Sequence, residues 1–273
     1  MSMPPELDPT GREVRSMLAV FAHPDDESIT CGALLARCAD LGVRVSVLCL
    51  TRGEHGRGAG GGGLGDLRTQ ELAAAAEVLR VSDVLVLDHE DGMLPWIDAA
   101  LLEADILGAI ERFEADCVVT FDEDGLYWHP DHVTVHERVT AAVAGLGAAA
   151  PALFYATVPD GTMRAVADAA ADDPGCSQAP ASAILGIEDV DAFGSNAPSP
   201  TIVFDAEQWA ARKVSALRCH RSQVEGSALD CLDERVMARL LATEHYRRAN
   251  IGAPGDTLLD RLGTPPAAVS REA

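Results

Sequence analysis

The sequence predicts an α/β fold: a Rossmann-like, mostly parallel sheet with helices on both faces and a loop-rich insertion near the site. Three observations carry this. Short apolar runs recur at Met17–Ala22, Val43–Leu50, Val84–Leu87, Cys117–Phe121 and Leu153–Val158. Segments of helical period separate them, and strands that alternate with helices in this way build parallel sheets. Polar or glycine-rich turns follow the carboxyl ends of the runs, where open α/β sheets bind ligands.

Each element has its own signal. Met17–Ala22 is continuously apolar, as a strand buried on both faces must be. Ser28–Leu41 reads as a helix ending at Gly42, a suitable residue just past a helix end. Val43–Leu50 alternates like a strand. Asp66–Arg80 is an amphipathic helix with Leu67, Leu72, Ala75, Ala76 and Leu79 on its apolar side. Asp98 caps a helix over Asp98–Phe113, and a polar loop, 122–132, leads into a helix reaching about Ala144. Ile202–Phe204 reads as a further strand, Ala206–His220 as a helix capped by Asp205, and Glu234–Arg248 as another helix.

The 273 residues are read as one domain, 1–273, with loose termini at 1–15 and 254–273. The stretch 161–199, rich in Ala, Asp, Pro, Gly and Ser, interrupts the α/β rhythm and is expected to be an insertion or lid over the site. The glycine-rich loop at 56–65 lacks phosphate-binding spacing and reads as a flap.

Hydrophobic content of 48% and charged content of 23% describe a globular chain. The formal charge of −22 speaks against nucleic acid or an anionic membrane as partner. Met1–Arg15 lacks the apolar core of a signal peptide. The uncharged stretch Ala141–Val158 is broken by Pro151, so no membrane insertion is expected. The seven cysteines contain no Cys-x-x-Cys pair; reduced thiols in a cytoplasmic protein are the expectation.

Two stretches carry the chemistry. Ala22-His23-Pro24-Asp25-Asp26-Glu27 places one imidazole and three carboxylates where strand 1 gives way to a helix. Such crowding is costly unless a cation or proton sits among the carboxylates. Tyr127-Trp128-His129-Pro130-Asp131-His132 follows strand 4, and Pro130 suits the first helical position. His129 and His132 then lie near the same sheet edge as His23 and Asp26. Two histidines and a carboxylate are a common ligand set for catalytic zinc.

The two motifs together resemble the LmbE-like, or PIG-L, family of zinc-dependent N-acetylglucosaminyl deacetylases. The resemblance extends to Thr51-Arg52-Gly53-Glu54, to Arg68 and Glu71, to Asp91-Gly92 and to His220-Arg221-Ser222-Gln223. It implies that His23, Asp26 and His132 bind one Zn2+ per chain, with another divalent ion left open. It implies Asp25 as general base, His129 as oxyanion stabiliser or amine acid, Asp131 as its orienter, and Tyr127 as a carbonyl-polarising group. Arg68 is the implied substrate contact; Asp91, Trp128 and His220 are further candidates, with His220 equally readable as a helix-end histidine. The resemblance implies a small-molecule glycoconjugate substrate. A glycopeptide-antibiotic pseudoaglycone of the teicoplanin type is ranked first, because the composition looks like a high-GC actinobacterial gene and basic clusters are lacking. A mycothiol-type thiol precursor is the close alternative. A metal-dependent phosphoesterase and a noncatalytic Rossmann-like binding module are the readings of another class, and a homo-oligomer stays open.

Overall fold

A computed structural model describes residues 14–57, 62–176, 184–253 and 259–260. Seven strands form one sheet: β1 (Ser16–Phe21), β2 (Arg44–Thr51), β3 (Asp83–His89), β4 (Cys117–Phe121), β5 (Ala152–Thr157), β6 (Ile202–Asp205) and β7 (Thr243–Gly252). Their order is β3-β2-β1-β4-β5-β7-β6. The first five run parallel; β7 pairs antiparallel with both β5 and β6. The strand order reverses between β1 and β4, and their carboxyl ends open the crevice that such sheets use for ligands.

Helices cover the sheet as the periodicity requires. They are α1 (Asp26–Asp40), α2 (Leu64–Leu79), α3 (Ala99–Arg112), the short α4 (Gly125–Trp128), α5 (Pro130–Gly145), α6 (Thr162–Asp172), α7 (Glu207–Leu217), the short α8 (Arg221–Val224) and α9 (Ala228–Cys231), and α10 (Glu234–Leu240). Gly42 ends the first helix with φ +82°, and the Val43 N–H bonds back to the Cys38 carbonyl, a left-handed helix stop. Asp98 accepts from the Ala100 N–H at 2.8 Å, and Asp205 from the Glu207 N–H at 3.1 Å. No helix among the described residues is long and apolar enough to cross a membrane.

Three expectations need correction. The segment Glu234–Arg248 is not one helix: α10 stops at Leu240 and the chain turns into β7. Residues Glu244, Tyr246 and Ala249 of this strand are buried. A glutamate at an inward position hides the strand pattern, and tertiary structure explains why it is there. Helix α1 kinks at Cys31 (φ −134°, ψ 19°), freeing backbone donors beyond the break. The Glu244 carboxylate accepts from the Ala33 and Leu34 N–H groups, both at 2.9 Å, so it caps the second half of α1 from another strand. Lys213 Nζ lies 2.8 Å from its Oε1, and the Tyr246 hydroxyl donates to Oε2 at 2.7 Å.

On α2, Leu67 is 45% exposed while Arg68 and Glu71 are buried. The inward stripe is therefore partly ionic, because it faces the site. Among the cysteines, Cys176 and Cys231 form a disulfide with Cα atoms 5.2 Å apart, whereas the other five are free thiols. Packing of α6 against α9 brings together two residues 55 apart in sequence, and no cysteine spacing could signal that. The expectations for 1–13, 58–61, 177–183, 254–258 and 261–273 lie outside the described residues.

Removing the Glu244 carboxylate orphans two buried N–H groups and leaves Lys213 uncompensated. Glu244→Ala is expected to cost about 3–5 kcal/mol, read as a fall in the urea midpoint without a change of m-value.

Candidate active site

The loops after β1 and β4 meet in the crevice because these strands are neighbours. His23 Nδ1 lies 3.1 Å from His132 Nε2 and 3.4 Å from Asp26 Oδ2, and His132 Nε2 lies 3.3 Å from Asp26 Oδ1. Ligand atoms about 2.0–2.1 Å from a tetrahedral zinc stand about 3.3 Å from one another. These separations, with one Asp26 oxygen toward each imidazole, are of the size that a shared metal ion requires. His132 Nδ1 donates to the Gly125 carbonyl at 3.1 Å, which leaves Nε2 with its lone pair inward. Burial pushes the His132 pKa down to about 3, so the ring is neutral. Burial opposes charge on Asp26, but the His23 imidazole and backbone N–H hold its carboxyl well below the usual range.

His23 is surrounded by acids. Its Nε2 lies 3.0 Å from Asp91 Oδ1 and 3.3 Å from Asp131 Oδ2. Against the burial that disfavours its charge, Asp131, Asp26 and Asp91 raise the imidazole well above its ordinary pKa. His23, Asp91 and Asp131 form a second close group, as do His23, His129 and His132. The Asp131 carboxylate also accepts from the Gly92 N–H at 2.7 Å and the Leu94 N–H at 3.1 Å, which fixes the loop after β3.

His129 is the N-cap of α5. Its Nδ1 accepts from the Asp131 N–H at 3.2 Å, which assigns the proton to Nε2. Burial and the neighbouring His23 charge lower its pKa, so it is a neutral donor. Asp131 therefore orients His129 through its backbone; its carboxylate serves His23 and the β3 loop instead.

Asp25 has φ +117°, a region L-residues rarely occupy and one that costs on the order of 1–3 kcal/mol. Burial pushes its carboxyl up to about 6, with the Arg68 charge pulling the other way. Arg68 Nη2 donates to Asp25 Oδ2 at 3.1 Å and to the Pro24 carbonyl at 2.6 Å, and its Nη1 donates to the Gly53 carbonyl at 2.8 Å. The guanidinium passes so close to Gly53 and Gly56 that a Cβ would lie 2.2 Å and 2.6 Å from Nη1. Gly53, with φ +63°, requires glycine, and a side chain at Gly56 would have to displace the Arg68 guanidinium and the Gln223 amide.

A cavity of about 290 Å³ is lined by His23, Asp25, Asp26, Arg68, Asp91, Tyr127 and His129, with His132 buried beneath. Tyr127 is delivered by a turn in which two non-glycine residues, Leu126 (φ +68°) and Trp128 (φ +64°), are left-handed. Two expected substrate contacts are elsewhere. Trp128 is half exposed, points its Nε1 to the Ser195 carbonyl at 2.9 Å, and is not among the lining residues. His220 is wholly buried and bonds Glu27 Oε1 at 2.8 Å. Asp91 and Arg68 reach the cavity, but both are engaged by neighbouring groups.

Sequence reasoning missed His55, Arg57, Leu185, Ile187 and Gln223 as lining residues. The His55 N–H donates to Asp91 Oδ2 at 2.9 Å. Gln223 belongs to the quoted His220–Gln223 motif, and Glu71 ties that motif to α2 by accepting from the Ser222 N–H at 2.7 Å and hydroxyl at 2.6 Å. That motif was a usable signal; Leu185 and Ile187 belong to the 161–199 stretch expected over the site, but nothing in that stretch singles them out.

The model of the PIG-L family, described as GlcNAc-PI de-N-acetylase, matches residues 18–143. A 1D-myo-inositol 2-acetamido-2-deoxy-alpha-D-glucopyranoside deacetylase of Acidothermus cellulolyticus is 32% identical over 267 residues, spanning 85% of this chain and 88% of that one. Among solved structures, the N,N'-diacetylchitobiose deacetylase of Pyrococcus horikoshii superposes with a TM-score of 0.62 at 18% identity, covering 86% of this chain and 84% of its own. A teicoplanin deacetylase in its zinc-inhibited form gives 0.55 at 18% identity, over 86% and 99%. These two likenesses establish the fold. The relative at 32% identity over most of both chains and the matched family model carry the conclusion: the chain belongs to the PIG-L family of de-N-acetylases and is a metal-dependent amide hydrolase.

Proposed function

We propose that this chain hydrolyses the acetamide of an N-acetylglucosaminyl-inositol, 1D-myo-inositol 2-acetamido-2-deoxy-α-D-glucopyranoside, the type of precursor used for mycothiol. The observation that carries the reaction is the meeting of Asp25 and His129 at one cavity with His23 and Asp26, above His132. The substrate rests on the relatives of that name, 32% identical over most of both chains. The teicoplanin deacetylases are 18–20% identical. This support reverses the ranking read from the sequence: the thiol precursor replaces the glycopeptide pseudoaglycone, and a role in antibiotic biosynthesis is dropped. A cavity of about 290 Å³ lies at the small end of the roughly 300–1,000 Å³ of ligand pockets, which suits a compact pseudodisaccharide.

An acetamide is a weak electrophile with a poor leaving group. Zinc held by His23, Asp26 and His132 would supply Lewis-acid polarisation of the carbonyl and a lower pKa for water. Asp25, with its carboxyl near 6 and so mostly ionised at neutral pH, takes the proton from the attacking water. Arg68 fixes the direction of that carboxylate. His129 hydrogen-bonds from Nε2 to the developing oxyanion, the Tyr127 hydroxyl assists at the same carbonyl, and the departing amine receives the proton that Asp25 took from the water. Asp91 and Asp131 hold the outer nitrogen of His23, as carboxylates do behind metal-bound histidines. Because both share His23 with the first ligand group, a separate second-ion site for phosphoester chemistry has little support.

Quantifying free amine tests the substrate: release from the acetylated glucosaminyl-inositol with none from a teicoplanin-type pseudoaglycone is expected, and the opposite result restores the glycopeptide. His129→Ala is expected to lower kcat about 10²–10³-fold with zinc content kept; matching loss of zinc would contradict its role. A ligating His23 must shed its proton, so zinc affinity should weaken as pH falls. Titration calorimetry in buffers of different ionisation enthalpy should report proton release on zinc binding, and His132→Ala should bind no stoichiometric zinc.

A further inference from the structure

Glu27 is 1% exposed and does not line the cavity, yet its carboxylate is fully engaged. Its Oε2 accepts from the Asp25 N–H at 3.0 Å. Its Oε1 accepts from the Ser28 hydroxyl at 2.5 Å and from His220 Nε2 at 2.8 Å. His220 is itself wholly buried, and its Nδ1 has no partner among the described residues. The imidazole therefore makes one side-chain hydrogen bond, and that bond goes to Glu27.

The Asp25 peptide held by Glu27 is the strained one, at φ +117°. A non-glycine residue stays in such a conformation only when its surroundings over-determine it. Arg68 holds the side chain of Asp25 from the α2 side. The Ser28 and Ile29 N–H groups hold its carbonyl, at 3.1 and 3.2 Å. The N–H is the third handle, and Glu27 is what grips it.

We propose that Glu27 and His220 are a buried positioning pair: the imidazole of the C-terminal region fixes the Glu27 carboxylate, which clamps the strained Asp25 peptide so that its side chain faces the attacking water. Neither residue touches substrate or metal. Both act on turnover through Asp25. The inference rests on the reading of Asp25 as general base.

In the zinc-loaded full chain, Glu27→Ala is expected to lower kcat about 10²-fold, the scale of an error of about 1 Å in a reacting group, with KM and zinc content unchanged. Glu27→Gln keeps an oxygen for the Asp25 N–H, and His220 can meet the amide by moving its proton to the unpartnered Nδ1. That variant should recover at least tenfold of the loss. Because His220 acts through Glu27, the double variant Glu27→Ala/His220→Ala should be no slower than Glu27→Ala alone. Amide hydrogen exchange at Asp25 reads the clamp without any substrate and should accelerate at least tenfold in Glu27→Ala. If Glu27→Ala does not fold, Glu27→Gln and His220→Gln carry the same measurements. A rise in KM at constant kcat, zinc loss in step with kcat, multiplicative losses in the double variant, or unchanged exchange at Asp25 would each overturn the pair. Absence of turnover by the wild type on the glucosaminyl-inositol overturns the substrate reading instead, and the exchange rate then judges the clamp alone.

Discussion

Three consecutive acids, Asp25, Asp26 and Glu27, are each less than 10% exposed at the start of one helix, and much of the chain is arranged to make that tolerable. Buried carboxylates must find cations or donors. Each finds a separate one. Arg68 reaches Asp25 from α2, the His23 backbone N–H donates to Asp26 at 2.8 Å, and His220 reaches Glu27 from beyond α7. The labour divides in the same way. On the proposed reading Asp25 takes a proton, Asp26 holds the metal, and Glu27 grips the backbone of Asp25.

The fold makes these encounters possible. The reversal of strand order at β1 and β4 puts His23 and His132 on facing lips of one crevice. Helix α1, which carries the acids, is broken at Cys31, and its second half is capped by Glu244 of β7 with Lys213 beside it. The antiparallel edge of the sheet thus supports the helix that the active site depends on. Gly53 and Gly56 leave room for the Arg68 guanidinium to cross from α2 to Asp25.

Fold class, the parallel strands and the two chemical motifs were legible because they are local. Strand periodicity, the Gly42 helix stop and the Asp98 cap depend on residues a few positions apart. The convergence of His23, Asp26 and His132 was legible because each motif sits immediately after its strand, so chain order fixes its place at the sheet edge. Misreadings arose where a residue's partner is distant. Glu244 made β7 look helical, since nothing near it reveals a kinked helix 211 residues away. Arg68 and Glu71 displaced Leu67 from the inward side of α2 because the site, not the core, lies opposite. Trp128 was expected at the cavity from adjacency to His129, but the left-handed turn that delivers Tyr127 sends the next side chain the other way.

What the sequence by itself determined is the inventory: a parallel α/β sheet, a His-Pro-Asp-Asp-Glu turn, a second histidine pair, and a charge balance unsuited to nucleic acid. Tertiary structure decided the pairings. It placed His220 behind Glu27, turned the Asp131 carboxylate to His23 and the β3 loop, joined Cys176 to Cys231, and brought Leu185 and Ile187 to the cavity. The physical reason is range. Propensity and periodicity act over a few residues, whereas the burial of charge is settled only when segments far apart in the chain come within hydrogen-bond distance.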